Sequence, residues 1–313
     1  LQSAPLIRIT EMNPKNVTLS AVVLIFWASA FVGIQRASSL IDPGSFALYR
    51  LLISSLTLYL IARFQRMRYI PTRDQIPVAL SGITGSTLYI FFVNLAQPYV
   101  SSTETCIFIN TVPAFAALGG WLFLQQPVSR KSLLGLGISF IGIVILAQGK
   151  GNLQMSLGIV YLLLAALSMA VSMTLQKKLL YRYSSLQVIS TGLWWGALAC
   201  LPWATSLIDS FPVLSLEGHM LIIYLGVFPS ALVYLAWGIL LKSTSTYRAT
   251  SLLYLIPVLV SLMGYLYLGE TLTLPVVMGG VFALVGVALI QLPTPKFTWL
   301  LTFPFRRPSQ KST

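Results

Sequence analysis

The sequence predicts an all-α integral membrane protein of ten transmembrane helices, arranged as two inverted five-helix repeats. Three observations predict it. The 313-residue chain is 56% apolar and only 9% charged, with a mean hydropathy of +0.82. Soluble domains carry about 25% charged residues, so this chain has too few to cover a water-facing surface. Next, long apolar runs alternate with short polar loops. Last, two stretches with starting residues 144 positions apart vary one theme: TVPAFAALGGWLFLQQP (Thr111–Pro127) and LIPVLVSLMGYLYLGET (Leu255–Thr271). Pro113 falls on Pro257, Gly120 on Gly264 and Gln126 on Glu270, and further on Gly135 falls on Gly279 and Gly142 on Gly286.

A helix needs about 20 mainly apolar residues to cross a bilayer. Ten segments meet that demand: 17–35, 44–62, 76–96, 102–124, 132–148, 156–176, 186–206, 219–241, 248–268 and 275–292. Helix-start and breaker residues separate several of them, among them Asp42-Pro43-Gly44, Pro71, Gln97-Pro98, Pro127, Gly149–Asn152, Pro212 and Pro275. The chain divides into a polar N-terminal segment (1–16), a first repeat (17–148), a second repeat (156–292) and a basic tail (293–313). Residues 1–16 lack an apolar core and do not read as a signal peptide.

The basic residues orient these spans. With the N-terminus in the cytoplasm, seventeen of the 20 Lys and Arg fall on the cytoplasmic side, only Arg36 and Lys150 on the other, and Arg50 lies within a span. This is a strong positive-inside bias, and it places both termini in the cytoplasm. An odd number of spans per repeat makes the second copy point the opposite way. Inverted repeats of this kind build the sites of many secondary transporters.

The net charge of +13 is thus read as topology, not as a nucleic-acid surface. The tail Lys296–Thr313 alternates Phe297, Trp299, Phe303 and Phe305 with basic residues and reads as an interfacial segment. Cys106 and Cys200 sit in apolar segments with no metal-ligand spacing. No metal and no cofactor are expected, and no enzyme: the single histidine, His219, lies at a span edge, and no HExxH, GxSxG or nucleotide-binding loop occurs. A passive channel or lipid scramblase remains an alternative, as does an importer of a nucleoside-type or sugar-type solute. Polar residues clustered in mid-span favour a gated carrier.

Several motifs resemble those of the drug/metabolite transporter superfamily, and most closely its ten-helix EamA type. They are Phe26–Phe31, Tyr49-Arg50, Arg248–Pro257, Gly264, Leu268-Gly269-Glu270-Thr271 and the pair Gly279 and Gly286. The resemblance covers roughly residues 17–292. It implies ten helices, cytoplasmic termini, and export or uptake of small metabolites. Gln126-Pro127 departs from the Gly-Glu usual at that loop, and Glu104 and Arg248 stand where the family has small or uncharged residues.

Ionisable residues within hydrocarbon are functional candidates by default. Arg50 and Glu104 are read as a gate, a coupling pair or a contact for a substrate carboxylate, with a mutual ion pair as one arrangement. Trp27, Tyr89, Asn94, Asn110, Ser168, Tyr234, Trp237 and Tyr254 are the candidate substrate-binding residues, since aromatic walls with a few hydrogen-bonding groups suit an amino acid or similar solute. Their alternative is helix-to-helix bonding. Pro113 and Pro257 are expected to kink their helices and free carbonyls near the midplane. Gly135, Gly142, Gly279 and Gly286 are expected to permit close helix approach, and Trp194, Trp195 and Trp203 to face lipid or the interface. The expected partners are the bilayer and a small-molecule substrate; the oligomeric state is unknown.

Overall fold

The computed structural model describes residues 14–100, 105, 108–124, 126, 128–148, 157–268 and 274–291, and these are all helix, turn or loop, with no strand among them. In chain order the helices are α1 (Pro14–Ser38), α2 (Pro43–Phe64), α3 (Thr72–Tyr99), α4 (Val112–Leu124), α5 (Arg130–Gln148), α6 (Leu157–Leu180), α7 (Ser185–Ala199), the short α8 (Ala204–Ser210), α9 (Leu216–Ser243), α10 (Thr246–Ser251), α11 (Ile256–Leu268) and α12 (Leu274–Gln291). Four of them, α2, α3, α6 and α9, are individually long and apolar enough to cross a membrane; Asn16–Phe31, Val112–Leu124, Arg248–Leu262 and Val277–Ile290 are shorter apolar helices. The chain is a multi-pass membrane protein.

Local chemistry fixes the ends. The Asp42 carboxylate accepts from the backbone N–H of Gly44 (3.1 Å) and Ser45 (3.0 Å), and Pro43 opens α2 with its φ already helical. Ser184 and Gln187 form a reciprocal capping box at α7. The seventh apolar segment is shorter than its hydropathy suggests. Its helix stops at Ala199, because Pro202 lacks an N–H and the chain tightens through Leu201–Trp203 before α8. Trp203 then packs inward. Its ring lies 5.1 Å from that of Phe91, and a Cβ on Gly44 would fall 1.9 Å from it.

The 144-residue offset reappears as contact geometry. α5 and α12 run antiparallel with backbones nearly touching. A Cβ on Gly142 would lie 2.7 Å from the Gly279 carbonyl oxygen, and one on Gly286 only 2.5 Å from that of Gly135. Between these two crossings Ser139 Oγ donates to the carbonyl of Ala283 at 3.2 Å, so a residue bonds the residue 144 positions beyond it. The two helices thus meet through counterpart residues in exchange, Gly142 against Gly279 and Gly135 against Gly286. The other contacts follow suit: α1 packs on α9 and α11, and α6 packs on α3 and α4.

Both long rods α3 and α9 widen in the middle into π-type turns, Ile83–Leu88 in one and Gly226–Leu232 in the other. Such turns are rare and cluster at functional sites. They too are separated by about the repeat offset, so Gly85 corresponds to Pro229.

Candidate functional site

A π-type turn releases carbonyls from the helix ladder, and within a membrane each must find another donor. Neighbouring side chains supply them. Ser168 and Ser172 of α6 donate to the carbonyls of Thr84 (2.8 Å) and Ser81 (2.7 Å), and Tyr234 of α9 reaches that of Gly85 at 3.5 Å. In the second copy the Pro229 carbonyl accepts from the Trp27 indole at 3.3 Å. The carbonyls at one repeat position are therefore capped by aromatic side chains in both halves.

Where Tyr89 and Tyr234 follow the two wide turns lies a small cavity of about 60 Å³. Trp27, Arg50, Tyr89, Asn110 and Tyr234 line it, together with apolar residues including Phe31, Ile109, Met169, Met173 and Leu253. Arg50 is 4% exposed. Its Nε donates to Ser230 Oγ at 2.6 Å, and its Nη1 bonds to no described atom. A fully buried guanidinium with spare donors is costly unless an acceptor arrives. Trp27 anchors an aromatic cluster, its ring 5.6 Å from Tyr234 and 5.2 Å from Trp237.

Of the residues the sequence singled out, Trp27, Tyr89, Asn110, Tyr234 and Arg50 are brought together here. Trp237 stands behind Trp27 and is fully buried, and Tyr254 is likewise enclosed; neither lines the cavity. Ser168 bonds α6 to α3. The Asn94 amide donates to the Pro43 carbonyl at 3.2 Å and ties α3 to the start of α2. Pro113 and Pro257 are each the second residue of a helix, α4 and α11, just after an irregular turn. The residues before them, Ile109 and Asn110 on one side and Leu253 and Ile256 on the other, reach the cavity wall. Glu104, with its proposed pairing to Arg50, lies outside the described residues, as do Cys106 and Glu270.

Sequence reasoning missed Ser230, the Arg50 partner, and it missed the π-type turns. Pro229 inside α9 was the available signal. It also read Lys177 as an ordinary topological charge. Lys177 is 3% exposed, and its ammonium donates to the carbonyls of Leu241 (2.6 Å), Lys242 (3.4 Å) and Thr244 at the C-terminal end of α9. A cation suits that end of a helix, where carbonyls lack intrahelical donors. Met169, Met173 and Lys177 share one face of α6 at four-residue spacing, so the lysine sits one turn beyond the cavity floor. Close by, Gln126 Oε1 accepts from the Thr246 N–H at 3.1 Å, and a Cβ on Gly119 would fall 2.6 Å from Thr174 Oγ1. Helices α4, α6, α9 and α10 are drawn together at this end, on the side that carries most of the basic loops.

Comparison with known proteins agrees with this architecture. A model of the EamA-like transporter family matches residues 15–148 and again 156–292. The chain is 30% identical over 277 residues to a Bacillus subtilis protein named "Uncharacterized transporter YdfC", covering 88% of this chain and 90% of that one. It is 27% identical to a "Probable terminal-alkyne amino-acid exporter" of Streptantibioticus cattleyicolor, with 88% and 93% covered. It is also 27% identical to a "Probable amino-acid metabolite efflux pump" of Salmonella typhimurium, with 88% and 94% covered. A solved crystal structure superposes with a TM-score of 0.71 at 15% identity, over 88% of this chain and 95% of that chain, and so shares the fold.

Proposed function

The chain belongs to the EamA-like transporter family, and from that premise we propose that it is a secondary transporter exporting small metabolites such as amino acids by alternating access. The observation that carries this reading is Arg50: a buried cation whose Nη1 meets no described acceptor, in the wall of a cavity whose other described lining residues are neutral, aromatic or apolar. A solute with a carboxylate and an apolar or weakly polar body complements that lining. The carboxylate takes the guanidinium, Tyr89, Asn110 and Tyr234 offer neutral hydrogen bonds, and Trp27 and Phe31 cover the apolar part. Two relatives bearing names of amino-acid exporters point the same way.

The alternating-access part of the reading draws on the repeat. Antiparallel packing of α5 on α12, with counterparts in reciprocal contact, is what ten spans in two inverted copies would produce. The Lys177 cluster then serves as the closed gate on the cytoplasmic side in this conformation. Opening inward requires α6 to release the end of α9. Positive-inside placement puts both termini in the cytoplasm, in the inner membrane of a bacterium. Glu104 is proposed as the proton-coupling group, with plain facilitated export as the alternative, and Glu104→Gln separates the two: it flattens the pH dependence of transport under proton coupling and leaves transport unchanged under facilitated export.

A thermal-shift screen of the solubilised protein against amino acids, nucleosides and polyamines tests the substrate class. Stabilisation by amino acids that disappears in Arg50→Gln supports the reading. Stabilisation by polyamines, or an amino-acid shift unchanged in Arg50→Gln, contradicts it.

A further inference from the structure

At the far end of α2 from Asp42 the chain makes a turn that only one non-glycine residue of the described structure makes. Arg66 has φ +49°, in the left-handed region. The turn is a Schellman closure: the Met67 N–H reaches back to the Ala62 carbonyl at 2.9 Å and the Arg66 N–H to that of Arg63 at 3.3 Å. Glycine is the usual residue at this position, because a Cβ is strained there. An arginine held in this conformation directs attention to what its side chain does.

Arg66 and Arg63 share the wall of a groove with Tyr59, Ala62, Met67 and Tyr69. Both arginines are exposed, and neither guanidinium bonds or ion-pairs with any described residue. Trp194 of α7 stands between the two tyrosines, its ring 6.4 Å from Tyr59 and 6.2 Å from Tyr69, and is held by an indole bond to the Ser55 carbonyl at 3.2 Å. Tyrosine and tryptophan mark the membrane–water boundary. From there a stripe of exposed apolar residues, Leu60, Leu56 and Leu52, climbs the same face of α2 at four-residue spacing. A pair of unpartnered cations at the head of such a stripe matches a molecule with an anionic phosphate and an apolar tail.

We propose that this groove is a binding site for an anionic phospholipid, its phosphate held by Arg63 and Arg66 and its acyl chain lying along Leu60, Leu56 and Leu52. The aromatic trio sets the depth of the headgroup. The site lies on the lipid-facing side of α2, away from the cavity, so it holds structural lipid and not transported solute.

The test uses the full-length purified protein with dioleoylphosphatidylglycerol, dioleoylphosphatidylcholine or inorganic phosphate as probes. Thermal unfolding is followed in Arg63→Gln, Arg66→Gly and the double variant. Glycine at position 66 keeps the left-handed turn, so Arg66→Gly is expected to unfold in phosphatidylcholine at or above the wild-type temperature. The anionic lipid should raise the wild-type transition above that in phosphatidylcholine. Each arginine removed should weaken that binding roughly fivefold, and the double variant should lose the increment. Native mass spectrometry should show phosphatidylglycerol retained by the wild type and lost from the double variant. An undiminished increment or retained lipid in the double variant overturns the proposal. So does an equal shift from inorganic phosphate, which would mark a soluble-anion site.

Discussion

The α5–α12 pair and the paired wide turns of α3 and α9 obey the same 144-residue offset in opposite ways. In the first, glycine and serine remove side-chain volume so that two regular helices meet backbone to backbone, and the bond Ser139–Ala283 joins counterparts directly. In the second, regular helix is given up, and released carbonyls are satisfied by side chains from α1, α6 and α9. One contact cannot rearrange without losing its packing. The other is a set of exchangeable hydrogen bonds around a cavity. A repeat protein thus gains a fixed axis and a deformable centre from copies of one segment.

The largest effect should come from the axis. Gly286→Val places a side chain against the Gly135 carbonyl and Ser139, both within 2.5 Å of the new Cβ. Overpacking a tight contact costs about 1–3 kcal/mol and often more where backbone is struck. Loss of the monodisperse peak in fluorescence-detected size exclusion is expected. Gly137 has nothing within 4 Å, so Gly137→Ala should leave the melting temperature within the effect of about 1 kcal/mol given by helix propensity. Equal damage from both would break the comparison.

At the centre, Arg50→Gln should weaken binding of a carboxylate-bearing solute by roughly 1.5–3 kcal/mol, the range for hydrogen bonds to charged groups, while leaving the fold assembled. Isothermal titration would read this. Lys177→Met removes the donor from three carbonyls at the end of α9, at a cost of about 1–3 kcal/mol to the closed arrangement. A cysteine introduced one turn inside that end should then label faster from the cytoplasmic side. Unchanged labelling would mean that this end is not a gate. Trp27→Phe frees the Pro229 carbonyl and should cost about 1 kcal/mol, seen as an altered transport rate at nearly unchanged melting temperature.

The smallest effect lies at the α2 cap. Partial burial raises the Asp42 carboxyl pKa, but hydrogen bonds from Ser45, Ser206 and Gly44 outweigh it and hold the group below its ordinary value of 3.8. A depressed carboxylate contributes stability above the unfolded pKa and loses it as pH falls through the folded one. Asp42→Ala should therefore lower stability by about 1 kcal/mol at neutral pH, with the gap to wild type closing below about pH 4. Thermal melts across pH would show it.

Much of the architecture was legible because the membrane enforces simple rules. Hydropathy marked the long rods, and the recurring Gly135, Gly142, Gly279 and Gly286 marked the close helix contact. The cavity was half legible. Arg50, Trp27, Tyr89, Asn110 and Tyr234 stood out as polar or aromatic residues within apolar runs, and they do meet. Trp237, Tyr254, Asn94 and Ser168 have the same chemistry, but helix rotation turns them into packing or interhelical bonds, and spacing alone does not fix rotation. The wide turns were hidden, because a π-type turn leaves no residue signature beyond one internal proline. Lys177 was hidden by its company: beside Lys178 and Arg182 it reads as a loop charge, and only its burial reveals the clamp on α9.

Counterflow in proteoliposomes tests the carrier reading most directly. With vesicles preloaded with the amino acid that gives the largest thermal shift, labelled amino acid should accumulate transiently, with saturation, and Arg50→Gln should abolish the overshoot. Flux that rises linearly with concentration and shows no overshoot would contradict a carrier and mark a passive pore.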